Sequence, residues 1–202
     1  ADGARRFIGA PVTAPPRRAL PNAVRIIGGQ WKRSKLPVMN AAGLRPTPDR
    51  VRETVFNWLG QDLSGWRCLD AFAGTGALGF EAASRNAALV VLLERDRALA
   101  QGLRETQQRL AAARLRVENV EAMAWMSRCE PGAFELIFLD PPFDAQLTWA
   151  ALARAVRPLA EGGIVYLESA EPFEAAALAE FGWRAYRTGR AGMVHFALLQ
   201  RL

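Results

Sequence analysis

Two cysteines, one histidine and two tyrosines are all that the chain carries of those residue types in 202 positions. Cys68 and Cys129 are too few for a disulfide framework or a cysteine-rich metal site, so no metal is expected, and a reducing, cytoplasmic setting is. No apolar run approaches the roughly 20 residues that cross a bilayer, and no charged n-region precedes an apolar h-region. A soluble chain follows, long enough at 202 residues for one sizeable core and a small extension. Acidic residues are scarce in one place only. The first 60 positions hold 11 Lys and Arg against 3 Asp and Glu, whereas positions 61–202 hold 15 against 17. The net charge of +6 therefore belongs to the N-terminal segment. Such local basicity suits a polyanion, whose condensed counterions are released as phosphates are neutralised; a merely solvated basic surface is the alternative.

Residues 1–23 set arginines 5, 6, 17 and 18 among prolines without a hydrophobic period, and read as a mobile basic leader. They lack the serines and the amphipathic repeat of an organelle transit peptide. Positions 24–27 and 36–38 predict two short strands around a basic hairpin tip that holds Trp31, Lys32, Arg33 and Lys35. Phosphate contact with base stacking would suit that tip, and so would a packed Trp31 beside solvated cations. Over 44–60 the signals are helical: Thr47 as N-cap, Pro48 at the first helical position, Asp49 at the positive end of the dipole, Gly60 as a stop. Val51, Val55, Trp58 and Leu59 recur at helical spacing toward a core, which leaves Arg50, Arg52, Glu53 and Asn57 for solvent or a ligand.

From position 66 strands and helices alternate. Apolar strand candidates are 66–70, 88–94, 114–118, 134–139 and 163–168; helical candidates run near 77–85, 96–112, 121–128, 145–157 and 172–181. Alternating units with continuous apolar strands imply a mostly parallel sheet covered on both faces. The segments 183–188 and 192–200 have no helix between them and predict an antiparallel hairpin that closes the sheet, turning at 189–191. Cys68, Trp125, Trp149 and Met193 are expected in the core, Cys129 at a helix end, and His195 in a structural place on the closing strand. No internal repeat is visible.

Four stretches should meet at the carboxyl ends of the strands, where an open α/β sheet binds its ligands. Asp70-Ala-Phe72-Ala-Gly74-Thr-Gly76-Ala-Leu-Gly79 is a strand-to-helix turn whose glycines permit positive φ and close ligand approach. Asp70 can contact a cofactor or cap the helix, and Phe72 can line the site or pack beneath the turn. Glu94, 20 residues after Gly74, can accept both hydroxyls of a ribose. Asn119 to Ala122, with Glu121 between, can meet an adenine edge. Turn and acid alone fit NAD or S-adenosylmethionine equally. Asp140-Pro141-Pro142-Phe143 separates them. Its prolines remove two backbone donors, leaving the Asp140 carboxylate and the Pro141 carbonyl as acceptors beside an aromatic face. An exocyclic amine fits there, whereas hydride transfer has no use for such a loop.

That loop resembles motif IV of class I methyltransferases that act on nucleobase amines, and the glycine turn resembles their motif I. Positions 24–36 (VRIIGGQWKRSKL), 44–59 (LRPTPDRVRETVFNWL) and 192–199 are similar to the bacterial 16S ribosomal RNA guanine-N2 methyltransferase family. The resemblance spans about 24–202 and implies a Rossmann-like class I fold with a mostly parallel sheet and an antiparallel closing strand. It also implies a hairpin and helix extension over 24–60 that contacts RNA and a methyltransferase domain over 61–202. The implied substrate is one guanine of 16S ribosomal RNA on an assembling small subunit, methylated by a cytoplasmic enzyme that we expect to be a monomer. S-adenosyl-L-methionine would lie against Thr47, Asp70, Phe72, Gly74, Gly76, Glu94, Asn119, Glu121 and Ala122. The chemistry falls to Asp140, Pro141, Pro142 and Phe143, and RNA contact to Arg25, Trp31, Lys32, Arg33, Lys35, Arg45 and Arg50. Glu121 stands where the family has Asp or Asn, and the leader has no counterpart. Neither cysteine follows a proline, as covalent carbon-5 pyrimidine methylation would need. Adenine-N6 methylation, a dinucleotide oxidoreductase and a non-catalytic RNA-binding assembly factor are the competing readings.

Overall fold

A computed structural model describes residues 23–39, 44–142 and 145–202. The leader, except Ala23, and Phe143 of the proline loop lie outside the described residues. The chain order is β1 (Ala23–Arg25), β2 (Lys35–Pro37), α1 (Asp49–Leu59), β3 (Arg67–Asp70), α2 (Ala77–Ser84), β4 (Leu89–Leu93), α3 (Arg97–Arg109) and β5 (Leu115–Glu118). It continues with α4 (Ala122–Arg128), β6 (Phe134–Leu139), α5 (Ala145–Ala155), β7 (Leu159–Ser169), α6 (Ala175–Glu180), β8 (Trp183–Ala191) and β9 (Val194–Arg201).

β1 and β2 pair as a small antiparallel hairpin, and the other strands form one sheet in the order β5-β4-β3-β6-β7-β9-β8. β5 through β7 are parallel in that sheet, while β9 runs antiparallel between β7 and β8. Strand order reverses between β3 and β6, so a crevice opens beyond their carboxyl ends. The central strands are buried almost throughout, because helices cover both faces.

Two apolar clusters fill those faces. One contains Leu69, Val91, Ile137, Leu139, Leu152, Val165 and Trp183. The other joins Val24, Ile26, Leu36, Val51, Val55 and Phe56 from the N-terminal elements to Cys68, Phe80, Phe138 and Tyr166 of the sheet layer. Residues 24–60 thus share the core of the larger unit.

Several local expectations need correction. α1 begins at Asp49 with Pro48 at the N-cap and no side-chain cap; the Thr47 hydroxyl reaches instead toward carboxylates on β7 and just after β6. Arg52 does not face outward. It is fully buried, since its guanidinium answers a buried acid, Glu81 of α2, that apolar periodicity cannot register. The β8–β9 turn falls at 192–193, and Met193 at its tip is 79% exposed rather than in the core. Trp125 and Trp149 are half-buried against the second cluster, and Cys129 is the C-cap of α4. Gly60 ends α1 at φ 97°, its N–H donating to the Phe56 carbonyl.

Candidate active site

The glycine turn owes its shape to what surrounds it. Gly74 and Gly76 take positive φ, 54° and 78°. A Cβ on Gly79 would lie 2.1 Å from the Leu92 side chain, so α2 rests on β4 at a distance only glycine permits. Asp70, 2% exposed at the end of β3, accepts from the Gly79 N–H at 3.0 Å and so ties the strand to the first turn of α2. Among the described residues other than its chain neighbours, the one atom within 4 Å of a Cβ added to Gly74 is a Leu44 methyl at 2.9 Å. The Gly74 N–H donates to Glu94 Oε2 at 2.9 Å, and Glu94 Oε1 accepts from the Asp96 N–H at 2.9 Å. Asn119 donates to the Glu94 and Arg95 carbonyls at 2.9 and 3.0 Å, fixing the strand end that carries Glu94. Glu121 caps α4 by accepting from the Met123 and Ala124 N–H groups at 2.8 and 2.7 Å. Ala122 is buried behind it, and Phe72 is half-buried against the second cluster.

Across the crevice Asp140 follows β6, with Pro141 buried and Pro142 exposed after it. Thr47 Oγ1 lies 3.5 Å from Asp140 Oδ2 and donates to Glu168 Oε1 at 3.2 Å. Tyr166, two residues before Glu168 on the same face of β7, donates to Glu168 Oε1 at 2.5 Å. Burial pushes the Asp70 carboxyl up to about 7 despite its hydrogen bond from Gly79, and the charges of Glu94 and Glu168 add to the rise. Burial, then the charge and hydrogen bond of Glu168, then the charge of Asp70, hold Asp140 well above the ordinary carboxylate range. Burial and the same carboxylates raise the Tyr166 phenol. Among the described residues, the groups acting on Asp140 are Glu168, Asp70 and Thr47, and none of these is cationic.

Each of the five parallel strands carries an acid at or next to its carboxyl end: Asp70, Glu94, Glu118, Asp140 and Glu168. The crevice therefore suits a cationic ligand and disfavours a pyrophosphate, whose charge would add to that of the rim.

The family model described as conserved hypothetical protein 95 matches residues 24–200. Ribosomal RNA small subunit methyltransferase D of Escherichia coli (strain K12) is 41% identical over 92% of this chain and 94% of its own length. Its namesake in Haemophilus influenzae is 37% identical over 89% and 96%. The chain belongs to this family. A solved structure of a candidate methyltransferase from Escherichia coli superposes with a TM-score of 0.76, at 40% identity over 89% of this chain and 98% of that one. A candidate methylase from Haemophilus influenzae gives 0.73, at 34% identity over 89% and 99%. The fold is that of the class I methyltransferases.

Within the family frame, Thr47, Asp70, Gly74, Gly76, Glu94, Asn119, Glu121, Ala122, Asp140 and Pro141 all border the carboxyl edge of the sheet. The basic residues divide. Arg45 and Arg50, both exposed, flank Thr47 at the crevice. The hairpin tip lies elsewhere: the Trp31 N–H donates to Ser84 Oγ at 2.9 Å, and the Gln30 N–H to the Ser84 carbonyl at 2.8 Å. Ser84 ends α2, about 10 Å along the helix from the glycine turn. Lys32, Arg33 and Lys35 are exposed there, Arg25 is exposed on β1, and Trp31 packs half-buried on the core. Sequence reasoning missed Glu168 and Tyr166. The signal for Glu168 was present in the acid that ends each apolar strand; Tyr166 gave none.

Proposed function

We propose that this chain transfers a methyl group from S-adenosyl-L-methionine to the N2 amine of a guanine in small-subunit ribosomal RNA. The observation that carries the reading is the acceptor-only loop, Asp140 with the Pro141 carbonyl, set against an acidic crevice at the switch point of the sheet. The names of the relatives, ribosomal RNA small subunit methyltransferase D, support ribosomal RNA as the substrate class.

The cofactor would supply an activated methyl on a positively charged sulfur, a charge that the acids around the crevice favour. Glu94 would accept from the ribose hydroxyls, and Asp70 with Gly74 and Gly76 would shape the place of the amino-acid end. Asn119, Glu121 and Ala122 would meet the adenine, with Glu121 contributing through the helix start it caps. Phe72 and Thr47 complete that lining. Asp140 and Pro141 hold the two N–H bonds of the target amine, Pro142 restrains the loop, and the base stacks on the aromatic face that Phe143 offers, so the nitrogen lone pair turns toward the methyl. Most of the acceleration comes from that placement, because a well-oriented pair of reactants reacts as if at very high concentration.

Residues 24–60 act as the RNA-contacting extension of a catalytic unit over 61–202, in a cytoplasmic monomer that works on an assembling subunit. Arg45 and Arg50 hold RNA at the crevice rim, and Arg25, Trp31, Lys32, Arg33 and Lys35 extend the contact along α2. Incubation with methyl-labelled S-adenosylmethionine and immature small subunits, followed by nucleoside analysis, tests the reading. Label in N2-methylguanosine is the expected result; label in N6-methyladenosine would overturn the base assignment, since the same loop can hold an adenine amine.

A further inference from the structure

Two buried acids in this molecule are balanced in different ways. Glu81 on α2 meets Arg52 at 3.0 Å and Arg85 at 2.9 Å, the usual condition of a buried carboxylate. Glu168, 6% exposed, meets the Tyr166 hydroxyl at 2.5 Å, the Thr47 hydroxyl at 3.2 Å and a second carboxylic acid, Asp140. The Thr47 hydroxyl has one hydrogen and stands between the two carboxyl groups. It is held there from behind, since the buried Arg52 donates to the Thr47 carbonyl at 3.2 Å. The charge of Glu168 so placed makes ionisation of Asp140 costly.

We propose that Asp140 and Glu168 form one proton-accepting pair for the methyl transfer, Asp140 touching the amine and Glu168 serving as its positioning partner through Thr47. The inference rests on the amino-methyl transfer reading above. As the amine nitrogen bonds to the methyl carbon, the carbon–sulfur bond breaks with its electrons left on sulfur, and the nitrogen becomes a cation bearing two hydrogens. One of those protons passes to Asp140, and the nitrogen regains its lone pair. A cation bound beside Asp140 favours its ionised form, the form that accepts a proton. Among the described residues, the groups facing the pair are Asp70 on β3, Tyr166 on β7 and Thr47 ahead of α1, while Phe196 of β9 lies opposite Glu168 in the ladder and is apolar.

Calorimetry of S-adenosylmethionine binding at pH 7, in two buffers of different ionisation enthalpy, tests this on the full chain without RNA. The wild type should release protons on binding, and Glu168→Gln should release fewer, because without the Glu168 charge and hydrogen bond Asp140 is held less far above the ordinary carboxylate range. In single-turnover transfer to small-subunit particles, Glu168→Gln should lower the rate with the RNA KM unchanged. Its acid limb should move down by about one pH unit, and Glu168→Asp should restore part of the rate. Thr47→Val, which removes a hydrogen bond that favours ionised Asp140, should move the acid limb up and serves if Glu168→Gln does not fold. Equal proton release by wild type and Glu168→Gln, or acid limbs that superimpose with that of the wild type, would overturn the pair. Failure of the wild type to bind S-adenosylmethionine would overturn the methyltransferase reading instead.

Discussion

Asp70 keeps its charge at odds with its surroundings, buried at 2% exposure with one strong hydrogen bond, from the Gly79 N–H, and two acids nearby. Its carboxyl is raised from 3.8 to about 7, so the folded state holds a proton that the unfolded chain gives up near pH 4. The resulting stability is fully present below about pH 4 and is lost as pH rises through about 7. Asp70→Asn keeps an acceptor for Gly79 and removes the titration. In thermal unfolding of the cofactor-free protein the variant should gain stability over wild type at pH 8 and show little difference at pH 4.5; a gain independent of pH contradicts the assignment. Asp140 differs in being open to the crevice. Asp140→Ala should lower single-turnover methyl transfer by about 10²- to 10³-fold, the scale of losing one oriented polar contact to a reacting group. Affinity for S-adenosylhomocysteine, read by calorimetry, should stay within a few-fold, and a variant that turned over at the wild-type rate would remove Asp140 from the mechanism.

Among the elements, α2 organises the N-terminal residues as firmly as it organises the glycine turn. Glu81 accepts from the Ile27 and Gly28 N–H groups at 2.9 Å each and from Arg52 and Arg85, so one carboxylate joins the hairpin, α1 and α2. Arg85 also lies 4.8 Å over the Phe56 ring, which closes the same junction from the apolar side. Removing the acid takes from the buried Arg85 its carboxylate and leaves the buried Arg52 paired with the exposed Asp49 at 2.5 Å. Glu81→Ala should therefore cost about 3–5 kcal/mol in urea denaturation, and a loss under 1 kcal/mol would mean that Arg52 and Arg85 find other partners. The pattern of α1 was readable in Val51, Val55 and Leu59, but the inward turn of Arg52 was not. Hydrophobic periodicity assigns a charge to the outside unless its partner is known, and here the partner lies 29 residues away. Thr47 misled for a related reason: Thr-Pro-Asp is a good local helix start, yet the hydroxyl finds carboxylates 93 and 121 residues on.

At the scale of the molecule, basic and acidic surfaces have separate places. The acids line the carboxyl edge of the parallel strands, while the exposed cations of 24–60 run from the crevice at Arg45 and Arg50 to the hairpin tip near the far end of α2. If the extension tracks an RNA backbone along that path, replacing Lys32 and Arg33 by glutamine should reduce the slope of log K against log salt by about 1–2, one phosphate contact per cation. Filter binding to small-subunit RNA across a salt series measures this, and an unchanged slope would take the hairpin tip out of the footprint.

The order of strands and helices, the glycine turn and the proline loop were fixed by local rules, since periodicity, turn residues and strand-end acids act over a few positions. So was the basic N-terminal segment, which is a matter of count. Which residues meet at the crevice was a tertiary decision. The reversal of strand order puts Asp70 beside Asp140, the packing of α1 puts Thr47 between Asp140 and Glu168, and Glu81 draws Arg52 into the core. Those contacts span 29 to 121 residues and rest on charges and hydroxyls whose partners no local pattern names.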